Sequence, residues 1–269
     1  MRMRKSYFIS DVHFGLQEKE KESAKLNAML SLLERIQEDG ERLFLVGDIL
    51  DFWMEYRHVV PKGHVRFFAA LENLVLSGVK VTYLAGNHDF YLGRYFQESF
   101  GIETQYGQIE AQLHGKLFLM AHGDGIGRGD LGYKFFRSVV RNNFNLRLFR
   151  WIHPDWGVGL MSYLSRLSRR HTYSPTDYGE KERLIIYANE LTEKTSFSYF
   201  VCGHRHVPKI HRLKNQQSFY VNLGTWIDET PTYGVFDGTA MAIRSAETHA
   251  VVFSENAKHG KAVSANPKA

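Results

Sequence analysis

Five short motifs along the chain carry residues suited to metal chemistry. They are Asp11-Val12-His13, Gly47-Asp48-Ile49-Leu50-Asp51, Gly86-Asn87-His88-Asp89, His122-Gly123-Asp124 and Gly203-His204-Arg205-His206. Within them Asp11, His13, Asp48, Asn87, His122, His204 and His206 offer carboxylate, imidazole and amide oxygen, and no thiolate. Mixed oxygen and nitrogen donors suit Mn, Fe or Zn and disfavour an iron–sulfur cluster or a Cys-rich structural zinc site. Seven donors exceed one tetrahedral ion and fit two ions sharing a carboxylate. Two ions about 3.5–4 Å apart can clamp the attacking and leaving oxygens of a phosphoryl displacement. Each motif alone has a plainer reading as a turn, since Gly, Asn and Asp tolerate left-handed backbone. Their coincidence is what points to a metal centre. Asp51 and Asp89 read as carboxylates that orient ligands, and Asp124 as either such a partner or a loop acid.

Together the blocks resemble the calcineurin-like metallophosphoesterase family over roughly Ser6 to Trp226. The resemblance implies that Asp11, His13, Asp48 and His206 hold one ion. It implies that Asp48, Asn87, His122 and His204 hold the other, so that Asp48 is the bridge. A hydroxide held between the ions would attack phosphorus, because metal binding brings the pKa of water toward ~7. Manganese is the ion implied, with zinc or iron able to use the same residues. His88, next to Asn87, would act outside the ligand set. It would stabilise the transferring phosphoryl group or protonate the leaving oxygen.

A finer resemblance is to the branch of that family acting on UDP-2,3-diacylglucosamine in lipid A biosynthesis. It rests on Gly86-Asn87-His88-Asp89-Phe90-Tyr91-Leu92-Gly93, on Asp130-Leu131-Gly132-Tyr133 following the fourth motif, and on Leu223-Gly224-Thr225-Trp226. It implies cleavage of the pyrophosphate to UMP and 2,3-diacylglucosamine 1-phosphate. Substrate contacts would then come from Asn87, His88, Asp130, Tyr133, Ser174, Lys181 and His204. One position departs: the well-known members of that branch carry arginine where this chain has His88, and the wider family carries histidine. A soluble phosphodiesterase or phosphatase acting on a nucleotide or phosphoprotein therefore stays open. A metal-free scaffold of the same fold should have lost ligands, and none is missing.

Elements must bring these motifs together. Ser6–Ser10, Arg42–Val46 and Val79–Ala85 read as buried strands, each leading into a motif, with Glu18–Glu38 and Phe67–Leu76 as amphipathic helices between them. The alternation predicts an α/β fold, since loops at the carboxyl ends of parallel strands converge on one rim. From Gly107 onward eight short strand-like runs are expected to form a second, largely antiparallel sheet. The expected architecture is two packed mixed sheets flanked by helices, one domain over 1–253.

Between about 125 and 178 the composition changes. From Gly125 through His171, Arg128, Lys134, Arg137, Arg141, Arg147, Arg150, Arg166, Arg169 and Arg170 are set against only Asp130 and Asp155, amid many bulky apolar residues. This reads as a helical cap whose basic and apolar faces suit an anionic lipid interface. With 34 basic and 29 acidic residues, the +5 balance is too mild to argue for nucleic acid. One cysteine, Cys202, rules out an internal disulfide and fits a reducing compartment. No apolar run reaches the roughly 18 residues of a membrane span. The expected setting is cytoplasmic and peripheral to an anionic inner-membrane surface, with no obligate protein partner. Residues 254–269 have little apolar content and are expected to form a disordered tail.

Overall fold

The structure, a computed structural model, describes residues 4–127, 138–139, 142–172, 176–227 and 229–256. Strand β1 (Lys5–Ile9) feeds helix α1 (Lys19–Asp39), then β2 (Gly40–Val46), a two-residue β3 (Trp53–Met54) and α2 (Val65–Leu76). Then come β4 (Lys80–Ala85), β5 (Asp89–Tyr91), α3 (Tyr95–Phe100) and β6 (Glu103–Tyr106). The strands β1, β2, β4 and β6 pair in parallel, as the helical crossovers between them require. Helix α1 buries Met29, Leu32, Leu33 and Ile36 against the outer face of this sheet, with Phe67, Leu71 and Leu74 of α2 beside them.

The later strands are β7 (Ile109–Leu113), β8 (Lys116–Met120), β9 (Tyr199–Cys202), β10 (Lys209–Arg212), β11 (Phe219–Asn222), β12 (Thr232–Phe236), β13 (Met241–Ser245) and β14 (Val251–Ser254). They do not form one sheet, which corrects the expectation. β12 pairs antiparallel with β1, and β13 and β14 follow, giving a seven-stranded sheet in the order β14-β13-β12-β1-β2-β4-β6. The remaining five form a second sheet in the order β10-β11-β9-β8-β7, with β8, β9 and β11 parallel. Strand-like patterning reports burial, not the partner. β12 is buried at all five positions because it is interior to the first sheet.

The inner faces of the two sheets meet in an aromatic and aliphatic core. Phe8 stacks on Phe44 and Phe118 at ring separations of 5.3 and 5.6 Å, and Val46, Leu84, Val201, Val221 and Ile243 fill the space around them. The cap contributes α4 (Asn143–Phe149) and α5 (Pro154–Thr172), and α6 (Arg183–Thr192) then covers the second sheet. The cap docks through Leu146, Phe149, Val158 and Met161 onto Phe52, Met54, Tyr56 and Phe90. Gly157 permits this closeness, since a Cβ there would strike the Tyr56 hydroxyl and lie 3.2 Å from the Phe149 ring. Ser254 ends β14, and Glu255 accepts a 2.6 Å hydrogen bond from the Tyr199 hydroxyl, so the sheet extends into the stretch expected to be tail. Residues 257–269 lie outside the described residues.

Candidate metal centre

All five motifs fall where strands β1, β2, β4, β8 and β9 end, and the backbone ties them together. The Asp11 amide donates to the Gly47 carbonyl at 3.1 Å and the His13 amide to the Asp48 carbonyl at 3.0 Å. The Gly203 amide donates to the His122 carbonyl at 3.0 Å, and the Trp226 amide to the Asp11 carbonyl at 3.0 Å. Asp11, His13, Asp48, His204 and His206 all have positive φ, between 49° and 66°. Left-handed backbone at non-glycine residues costs energy and clusters at functional sites. Here it turns each chain sharply off a strand end so that its side chain faces the rim.

The glycines of the motifs leave the space that these side chains occupy. A Cβ at Gly47 would come within 2.5 Å of His122 Nδ1, at Gly86 onto the Asp48 carboxylate, and at Gly203 onto Asp11 Oδ2.

The side chains converge as two adjoining groups. In the first, Asp11 Oδ1 lies 3.1 Å from His206 Nε2 and 3.9 Å from His13 Nε2. In the second, Asp48 Oδ2 lies 3.2 Å from His122 Nε2, and Asn87 Oδ1 lies 3.1 Å from both His122 Nε2 and His204 Nδ1. His13 Nε2 is 3.6 Å from Asp48 Oδ2, which places Asp48 between the two groups. Asp11, His13, Asp48 and His122 are all buried to 2% exposure or less.

Buried carboxylates so close to imidazoles create a strong field. Burial would raise the Asp11 carboxyl, but the His206, His13 and His122 rings hold it well below the usual carboxylate range. Asp48 is likewise held low against burial, chiefly by His122 and His88. Burial works against a charged His122, yet Asp48, Asp11 and Asp124 push it up to about 10. Burial and repulsion from His122 take His204 down to about 4. A field that holds a proton on a buried imidazole is one that a divalent cation satisfies by displacing that proton. The oxygen–imidazole donor set fits two such ions.

Other groups hold the donors in place. Asp89 accepts from the Asp48 amide at 2.7 Å, the Gly86 amide at 2.9 Å and the Tyr83 hydroxyl at 2.8 Å. Burial and the Asp48 charge raise it to about 6. His122 Nδ1 lies 2.9 Å from the Val46 carbonyl, which leaves Nε2 facing the centre. His88 Nδ1 lies 2.8 Å from the Asp51 carbonyl, and its amide donates to Asp48 Oδ1 at 2.8 Å. Its ring stands edge-on to His13 at 4.8 Å. Lys25 is buried, and its ammonium donates to the His13 carbonyl at 3.0 Å. Glu22 binds that ammonium at 2.8 Å and receives the Gly15 and Gln17 amides. Reading the motifs alone overlooks this pair. The signal was a lysine four residues before Met29, on the apolar stripe of α1.

Of the expected substrate contacts, Asn87, His88 and His204 stand at the centre. Asp130, Tyr133 and Ser174 lie outside the described residues. Lys181 is exposed on the short turn Gly179–Lys181 and makes no hydrogen bond or ion pair with a described residue of the centre.

A two-sheet sandwich with a histidine–carboxylate centre at its strand ends defines a metal-dependent phosphoesterase. Residues 5–208 match the family model of calcineurin-like phosphoesterases, and the chain belongs to that family. It is a hydrolase, and the family holds two divalent metal ions. The UDP-2,3-diacylglucosamine hydrolase of Porphyromonas gingivalis is 34% identical over 259 residues, covering 90% of this chain and 98% of that protein. The protein of the same name from Yersinia enterocolitica is 27% identical, covering 81% and 90%. Among solved structures, the Escherichia coli phosphoesterase Yfce is similar at a TM-score of 0.48 and 15% identity, over 93% of this chain and 97% of that one.

Proposed function

We propose that the protein hydrolyses the pyrophosphate of UDP-2,3-diacylglucosamine, giving UMP and 2,3-diacylglucosamine 1-phosphate. The observation that carries the chemistry is Asp48 standing between two groups of oxygen and imidazole donors. In this reading Asp11, His13, Asp48 and His206 hold one divalent ion, and Asp48, Asn87, His122 and His204 the other. Manganese suits the donor set. When bound, the ions supply an activated water and polarise the phosphoryl oxygens. His88, whose Nδ1–H donates to the Asp51 carbonyl, would as the imidazolium present Nε2–H to the reacting phosphoryl group as hydrogen-bond donor or general acid. Asn87 orients the phosphoryl oxygens beside it.

The substrate rests on the relatives, which bear the same name and align with this chain over 98% and 90% of their own lengths. The cap supports it physically. Trp151 is 89% exposed and Trp156 76%, with Phe144 and Leu148 also outward and Arg147 exposed among them. Exposed indoles beside arginine suit the headgroup region of an anionic membrane, where a diacyl substrate resides. Among the described residues no helix is long and apolar enough to cross a membrane. On the strength of the exposed cap surface, the reading is peripheral attachment to the membrane, from the cytoplasmic side.

Purified protein incubated with Mn2+ and UDP-2,3-diacylglucosamine should release UMP. Turnover of bis(p-nitrophenyl) phosphate with no UMP would refute the substrate and favour a soluble phosphodiesterase, for which histidine at position 88 is the ordinary family residue.

A further inference from the structure

Asp51 stands where the cap meets the metal centre. Its carboxylate Oδ1 lies 3.5 Å from His13 Nδ1 and 3.7 Å from His88 Nδ1, and its carbonyl lies 2.8 Å from the same His88 atom. One residue thus faces the Nδ1 atoms of two histidines with different tasks. Held that way, the His13 ring directs Nε2 toward Asp11 and Asp48, and the His88 ring is left with Nε2 turned away from Asp51. From the other side, Ser165 of α5 reaches the same carboxylate, its Oγ 3.2 and 3.3 Å from Oδ1 and Oδ2. Ser165 is only 8% exposed, and 114 residues separate it from Asp51 in sequence.

We propose that Ser165 is a positioning residue through which the seating of the cap sets the orientation of His13 and His88, by way of Asp51. The cap is an insertion whose helices pack on the body mainly through apolar contacts. Such contacts are non-directional and tolerate sliding. A hydroxyl held to a carboxylate is directional, so it converts the cap's position into the position of one specific group. The two distances exceed the roughly 2.7–2.8 Å of a relaxed hydroxyl–oxygen bond. The hydroxyl is shared between both carboxylate oxygens, a three-centre arrangement that lengthens each bond. Ser165 does not touch the reacting atoms. Its effect passes through Asp51, and loss of its hydroxyl leaves a buried carboxylate less restrained beside two histidines. This rests on the metal-dependent phosphoesterase reading and is independent of the lipid substrate.

The test uses full-length Ser165→Thr, Ser165→Val, Asp51→Asn and the Ser165→Val/Asp51→Asn double variant. Thr keeps the hydroxyl and Val, of nearly equal volume, removes it, so the comparison isolates the hydrogen bond from packing. Mn2+ affinity is read by calorimetric titration, and kcat and KM with bis(p-nitrophenyl) phosphate. Asp51→Asn should weaken Mn2+ binding about 10–100-fold, as loss of a ligand-orienting carboxylate does. Ser165→Val should weaken it about 3–10-fold and lower kcat by a similar factor with KM unchanged, and Ser165→Thr should stay within twofold of the parent. The double variant should match Asp51→Asn within twofold, because groups acting in series are not additive. Equal behaviour of Thr and Val would overturn the proposal. So would a double variant weaker than Asp51→Asn by the full factor of Ser165→Val. A parent that binds Mn2+ but cleaves no phosphodiester would count against the phosphoesterase reading instead, and the same cycle in metal affinity would still decide the role of Ser165.

Discussion

Gly86→Ala tests whether the metal centre depends on backbone packing as tightly as its geometry implies. The φ of Gly86 is not in the left-handed region, so alanine meets no conformational penalty and the substitution acts by volume alone. Its Cβ would stand 2.5 Å from the Asp48 nitrogen and 2.8 Å from its Cγ, against an ordinary contact of 3.4 Å or more. The two segments must part by 3.4 − 2.5, about 0.9 Å. They share one acceptor, Asp89 Oδ2, at 2.9 Å from the Gly86 amide and 2.7 Å from the Asp48 amide, so the displacement also strains that bond. A misplacement of about 1 Å at a reacting centre costs on the order of 10²-fold in rate, or about 2.7 kcal/mol. Overpacking should cost a further ~1–3 kcal/mol of stability. The assay is kcat with bis(p-nitrophenyl) phosphate at saturating Mn2+, alongside a calorimetric Mn2+ titration. Gly159→Ala is the control, because nothing lies within 4 Å of its Cβ and it sits inside α5. It should leave kcat unchanged while stabilising the helix by up to ~1 kcal/mol. A Gly86→Ala enzyme with kcat within threefold of the parent and an unchanged Mn2+ isotherm would refute the reasoning.

Asp48→Asn should lower turnover of any phosphodiester at least ~10³-fold and abolish binding of one of two Mn2+ equivalents, because the residue stands in both donor groups; two full-affinity equivalents would exclude the bridging role. The Trp151→Ala/Trp156→Ala variant should lose most of its co-sedimentation with anionic phospholipid vesicles and keep its activity on the small diester, since both indoles point outward. Undiminished vesicle binding would remove the membrane role of the cap. Stability should also fall as pH drops from about 6.5 toward about 4, because burial pushes His64 down to about 4 while the unfolded chain takes up its proton near 6.5. His64→Asn, which offers an N-capping side chain to α2, should reduce the difference in unfolding free energy between pH 7 and pH 5 by about 1 kcal/mol, a figure discounted for solvent at the partly exposed ring. An unchanged pH dependence would show that the ring is not held neutral.

The convergence of the candidate ligands was legible in the sequence because they sit in short motifs at strand ends, where side-chain type and local backbone are dictated together. Asp11 and His13 illustrate this: two residues apart, both with positive φ, both aimed at one rim. What was not legible came from contacts between distant segments. The placement of β12 beside β1 follows from Tyr7 meeting Val235 and Phe8 meeting Gly234, a pairing that no local pattern encodes. Gly234 in turn has room for no side chain, as a Cβ would stand 2.7 Å from Met241 and 2.8 Å from Leu223. Ser165 is, in the sequence, one polar residue of the cap among several, and only its placement over Asp51 gives it a role. Lys25 lies between these cases. Its charge broke the apolar stripe of α1 visibly, but only the fold shows that the ammonium is spent on the His13 carbonyl. The chemistry of this protein is thus written locally, whereas the coupling of that chemistry to the cap is written in long-range contacts. Substitutions at the motifs should therefore remove activity outright, and substitutions at the cap interface should grade it.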